Sequence, residues 1–218
     1  MASGGLGIVL VLAAMIGTWW SVSFAVSGFG VTASGGGDFS LFGGTTRLVT
    51  PIGSETSTVS YGNATNVGSV FSMAALFAFI GLVLGGGMIG ANATARSQPG
   101  MRRVGGALGI VAFLLTLLSA VYVMTSLPTA VNLDSGAAGT SGYVISGFWG
   151  SQTTTLLGTS ATVAWAAGWG WYAALVAAVL FLIGAVGSFR APRAVSVGPA
   201  PGFTPDYQPP MTPPPTQP

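Results

Sequence analysis

Formal charge is confined to ten positions in this chain, and their spacing constrains the fold more than any motif does. Arg47, Arg96, Arg102, Arg103, Arg190 and Arg193 are the basic residues, and Asp38, Glu55, Asp134 and Asp206 the acidic ones. Between them lie four blocks with no charge at all: 1–37, 56–95, 104–133 and 135–189. A soluble domain is about one-quarter charged. Only 5% of these 218 residues are charged, which leaves too little polar surface to keep such a domain dispersed. The pattern excludes a cytosolic globular enzyme and points to an integral membrane protein.

The residue types that are missing narrow the chemistry. The chain has no His and no Cys. Zinc, copper and most haem sites draw on those side chains. Nucleophile–His pairs need them as well. No catalytic residue, metal site or cofactor is expected. Met15, Met73, Met88 and Met124 sit in apolar runs and read as packing filler. A net charge of +2 without a basic stripe gives no reason to expect nucleic acid as a partner.

Four apolar runs cover about 6–26, 70–91, 104–124 and 163–186. Each has the roughly 20 residues needed to cross a hydrocarbon core of about 30 Å. The first has no basic n-region and is longer than a signal-peptide core, so it is expected as an uncleaved span. Arg96, Arg102, Arg103, Arg190 and Arg193, with Asp206, flank the same side of these runs, whereas Asp38, Glu55 and Asp134, with Arg47, fall on the other. Arg excess marks the cytoplasmic side. The expectation is a multi-pass plasma-membrane protein with both termini inside and outer loops of about 27–69 and 125–162.

Trp19, Trp20, Trp165, Trp169, Trp171 and Tyr172 fall near the outer ends of spans one and four, and an interfacial aromatic belt is expected. Trp165, Trp169 and Tyr172 have the i, i+4, i+7 spacing of one helix face. The alternative for that face is a quinone or lipid pocket. Gly81 with Gly85, Gly86 with Gly90, and Gly105 with Gly109 form small-xxx-small pairs. In lipid such pairs let helix backbones approach closely. They are expected to pack within the chain's own bundle, with dimerisation as the alternative. No ionisable residue lies within a run, which argues against a proton-coupled transporter.

The first outer loop contains two strand-like pieces, 45–50 and 56–61, with turn residues 52–55 between them, and a β-hairpin is expected. A third strand is expected at 143–149. Exposed edges of a sheet built from both loops would be ready to pair with another chain. Asn63-Ala-Thr65 is a glycosylation sequon on the expected outer side. The segment 189–218 holds ten of the 13 prolines and is expected as a disordered cytoplasmic tail. Its alternative is a docking peptide for a proline-motif reader, with Pro210-Met-Thr-Pro213 as the P-x-x-P core.

This layout resembles the claudin and peripheral-myelin-protein superfamily of tetraspan proteins. The echoes are Trp19-Trp20 closing span one, Tyr61-Gly62 before span two, and Gly147-Phe-Trp-Gly150 followed by Gly168-Trp-Gly-Trp-Tyr172. The Gly-Phe-Trp stands in the second loop instead of the first, and the claudin cysteines are absent. The resemblance implies a four-helix transmembrane bundle carrying a small extracellular β-sheet from the two outer loops. It also implies a structural or interaction role through that sheet and a Trp-rich rim, meeting other membrane proteins or a second copy. The alternative is an accessory subunit of a larger respiratory or transport complex.

Overall fold

The computed structural model describes residues 2–61, 65–95, 97–98, 100–137 and 144–190. Four helices and six strands follow the order α1 (Ala2–Ile16), β1 (Trp20–Gly28), β2 (Val31–Phe39), β3 (Gly44–Thr50), β4 (Gly53–Val59), α2 (Asn66–Thr94), α3 (Met101–Ala137), β5 (Gly150–Leu156), β6 (Thr159–Ala167) and α4 (Trp169–Arg190). The strands form one antiparallel sheet in the order β4-β3-β2-β1-β6-β5.

Three helices, α2, α3 and α4, are long and apolar enough to cross a membrane. Their surfaces show why they need one. The buried positions of α4 are mostly small, including Ala174, Ala177, Ala178 and Ala185, while Val176, Val179 and Ile183 point outward. On α2, Ala74, Ala78, Gly81 and Gly85 are inside, and Leu76, Phe79 and Val83 are outside. Large apolar side chains outside and small ones inside suit helices solvated by lipid and held by close backbone contact.

The expectation of four spans with a small sheet is corrected by these elements. The helix of the first run stops at Ile16, and at 15 residues it is about 22 Å long, short of a bilayer core. Residues 20–28, placed in span one or its edge, begin a large sheet whose first four strands are N-terminal. The physical reason is the two-residue alternation Ser21-Val-Ser-Phe-Ala-Val-Ser27, which suits a strand and not a helix. Likewise Val163–Ala167 of the expected fourth span lies in β6. The expected hairpin forms as β3–β4, turning at Pro51-Ile52. Residues 144–149 form no strand; Asn132 of α3 pins them, donating to the Ile145 carbonyl and accepting from its N–H, both at 2.8 Å. Much of the expected second outer loop is helix, because α3 continues to Ala137.

Glycine in the sheet serves close packing of rings. A Cβ on Gly35 would stand 2.5 Å from the Phe24 ring directly opposite, and one on Gly150 would stand 2.7 Å from Trp165. Large rings on one strand thus cover the bare backbone of the next.

Candidate functional site

The sheet grows out of the helix pair α1 and α4 without an intervening loop. Gly17, Thr18 and Trp19 separate α1 from β1, and Gly168 separates β6 from α4. The Gly168 N–H donates to the Trp19 carbonyl at 3.0 Å, and the Gly170 N–H donates to the Thr18 carbonyl at 2.7 Å. A side chain at Gly168 would collide with the Thr18 carbonyl, so this crossing needs glycine. The paired strands β1 and β6 therefore continue the paired helices.

Aromatic residues fill this junction. The Trp19 indole N–H donates to the Ala14 carbonyl at 2.6 Å, ending α1. Trp20 donates to the Phe148 carbonyl at 3.3 Å, Trp165 to Gly147 at 2.8 Å and Trp171 to Ala120 at 2.9 Å. All four indoles are buried. Trp149 packs edge-on against Trp171 at 5.4 Å. The expected belt is thus divided: Trp19, Trp20, Trp165 and Trp171 are core, and only Trp169 and Tyr172 of the named set are exposed. Trp165 lies in a strand, so it does not share a helix face with Trp169 and Tyr172.

The α2 side is anchored by Asp134. Its carboxylate accepts from the Asn66 N–H at 3.0 Å, from the Asn66 side-chain amide at 2.7 Å and from the Val67 N–H at 3.0 Å. Thr65 adds its hydroxyl as acceptor for the Gly68 N–H at 3.0 Å. Together they satisfy the orphan donors of a helix N-terminus, where negative charge is favoured. Tyr61 links this corner to the sheet: its hydroxyl donates to the Ser40 carbonyl at 2.8 Å, and its ring stacks on Phe71 at 5.1 Å. Burial pushes its phenol pKa up.

The glycine pairs are also divided. A Cβ on Gly81 would meet the Thr116 hydroxyl at 2.6 Å, one on Gly85 the Phe181 ring at 2.6 Å, one on Gly105 the Asn92 side chain at 2.8 Å, and one on Gly109 the Met88 sulfur at 2.5 Å. These four pack helix on helix. Gly86 and Gly90 face open space. Polar bonds reinforce the bundle, with Ser119 donating to the Ala74 carbonyl and Asn92 to the Ser188 hydroxyl, each at 2.8 Å.

Arg102 and Arg103 at the start of α3 and Arg190 at the end of α4 lie at the end remote from the sheet. Arg96, Arg193, Asn63 and the proline-rich segment 191–218 lie outside the described residues. At that remote end a cleft of about 360 Å³ is lined by Ser3, Asn92, Arg102 and Ser188.

The sheet itself offers an open groove of about 820 Å³ on the face that carries Ser21, Ser23, Ser34, Asp38, Arg47 and Thr162. Register places Asp38 opposite Thr45 and Arg47 opposite Gly36, so the two charges are diagonal neighbours on this hydroxyl-rich face. Among the described residues no group of acidic side chains is placed to hold a metal ion. What the arrangement supplies is surface: two strand edges, β4 and β5, with no further strand beside them among the described residues, a hydroxyl face and three hairpin tips at the far end. Taking the apolar runs as helix throughout hides β1 and the end of β6; the Ser alternation at 21–27 is the available signal for β1. The chain matches no protein-family model and no curated protein.

Proposed function

We propose that this chain is a multi-pass plasma-membrane protein of structural or interaction type that carries out no catalysis. Its six-stranded sheet faces outward, and the C-terminal end of α4 is cytoplasmic. The single observation that carries the reading is a sheet whose edge strands, β4 and β5, have no further strand paired to them among the described residues, fixed directly to helices apolar enough to face lipid. Unpaired edges are surfaces for strand addition. The orientation is supported by Arg102, Arg103 and Arg190 at the end remote from the sheet. Contact runs through the sheet, since most of the tryptophans are occupied in the junction. Kinship with the claudin and peripheral-myelin-protein superfamily belongs to the same proposal and is carried by the residue echoes alone.

A second reading, accessory subunit of a larger membrane complex, is favoured by Gly86 and Gly90, four residues apart and facing open space on α2. Outward small residues let a neighbouring helix approach in lipid. Single cysteines placed on the edge strands, Ser57→Cys in β4 or Thr153→Cys in β5, carrying a membrane-impermeant thiol-reactive photo-cross-linker in native membranes, followed by purification in mild detergent, test both. Complexes joined through β4 or β5 are expected. Co-purifying catalytic subunits held through α2 would favour the second reading, and a monomer without cross-linked partners would contradict both.

A further inference from the structure

Three of the four hairpins, β1–β2, β3–β4 and β5–β6, turn at the same end of the sheet, remote from the helix junction, because β1, β3 and β5 run toward that end and β2, β4 and β6 return from it; β2–β3 turns at the junction end. Each of the three remote turns presents bulky apolar side chains to solvent: Phe29 is 86% exposed, Ile52 98%, Leu157 85% and its neighbour Leu156 70%. Two of these turns are built against local preference. Phe29-Gly30 and Leu157-Gly158 are two-residue loops with φ values of 48° and 77°, and 49° and 81°. Such turns favour Asn or Asp in the first position, and a bulky residue there is strained. Strain combined with exposed apolar area is a cost in water, and it falls at the row of tips.

We propose that this distal rim inserts into the lipid surface of an apposed membrane. The proposal rests on the reading of the sheet as an outward contact element and names its partner. Hairpins in an antiparallel sheet repeat every two strands, so the tips are spaced by about 10 Å. The turn residues Gly28–Val31, Thr50–Gly53 and Leu156–Thr159 carry no charge to set a register with a protein. A bilayer interface accepts separate apolar side chains in any register. The nine residues of β1 span about 30 Å and carry the row away from the junction with the protein's own spans.

The test uses the full chain, made in a bacterial host and held in phosphatidylcholine nanodiscs, with phosphatidylcholine vesicles as probe. Parent nanodiscs are expected to co-float with vesicles, with little sensitivity to salt because no ion pairing is involved. The triple variant Phe29→Asn, Ile52→Ser, Leu157→Asn is expected to co-float at least tenfold less. Two of these substitutions install the residue the turn prefers, so loss of binding is not loss of fold. An environment-sensitive dye on Leu157→Cys is expected to report water in the nanodisc alone and to shift blue when vesicles are added. Failure of the parent to co-float, or equal co-flotation of the triple variant, would overturn the proposal. A blue-shifted dye before vesicles are added would place the rim in the protein's own bilayer and overturn it too. Nanodisc–nanodisc association lost in the triple variant would assign the rim to a second copy, ending the lipid proposal but keeping the contact reading. Vesicle binding retained while outer-side cross-links are absent would do the reverse.

Discussion

The indole N–H of Trp171, at the start of α4, donates to the backbone carbonyl of Ala120 in the middle of α3 at 2.9 Å. This bond crosses between two helices at the level where the sheet begins, and the same ring packs against Phe148 at 5.5 Å. Trp171→Phe keeps most of the ring and removes the donor. It is expected to cost about 0.5–1.5 kcal/mol. Trp171→Ala also empties the junction and should cost about 3–5 kcal/mol. Thermal unfolding in detergent, with both variants side by side, reads the difference; equal small losses would mean that the indole is peripheral to the junction.

Gly85 and Gly86 are neighbours with opposite environments. Gly85→Leu drives a side chain into Phe181, and Gly86→Leu places one in open space. The first is expected to destabilise the bundle by about 1–3 kcal/mol or more. The second is expected to leave the monomer's stability within about 0.5 kcal/mol. A partner lost from Gly86→Leu with unchanged stability would identify that face as an external helix contact. Matched destabilisation by both variants would refute the division of the glycines.

The charge-free blocks were enough to read a membrane protein, and the β3–β4 hairpin was legible from its β-branched residues, although the turn falls at 51–52 and residues 53–55, expected as turn, belong to β4. Less of the junction was legible. Trp19 to Val26 is apolar enough to extend a span by composition, yet Gly17-Thr18 and the buried Trp19 indole on the Ala14 carbonyl end the helix there. Trp165 and Trp169 have helical spacing but stand on either side of Gly168, where strand passes to helix. Spacing cannot tell a belt from a core when the helix boundary falls inside the pattern. Gly81 and Gly90 looked alike in sequence because facing residues from α3 and α4 decide which glycine is covered.

Tyr61 gives the fold an alkaline dependence. Its hydroxyl is held at the Ser40 carbonyl, and burial raises its pKa above the ordinary value of about 10. The folded state therefore keeps this proton where the unfolded state releases it. The contribution to stability is fully present below about pH 10 and declines as pH rises above it. Unfolding curves of the parent should show this decline, and Tyr61→Phe should be flatter over the same range. An identical alkaline slope in both proteins would remove Tyr61 from the account.

Thr116 is fully buried between α3 and Gly81, and its hydroxyl has no hydrogen-bond partner among the described residues. A buried unpaired hydroxyl costs about 1–3 kcal/mol of desolvation. Thr116→Val keeps the shape and removes that cost, so detergent stability should be unchanged or raised. A loss of more than about 1 kcal/mol would mean that the hydroxyl has a partner inside the bundle.

The central claim is that the sheet stands on one side of a membrane and the α2–α3 link on the other. The chain has no Cys, so single cysteines report without background. Ser57→Cys on edge strand β4 and Ser97→Cys between α2 and α3 are to be treated with a membrane-impermeant thiol reagent in intact cells. Labelling of position 57, with position 97 protected until the membrane is permeabilised, is the result expected. Equal labelling of both in intact cells, or protection of position 57, would contradict the account.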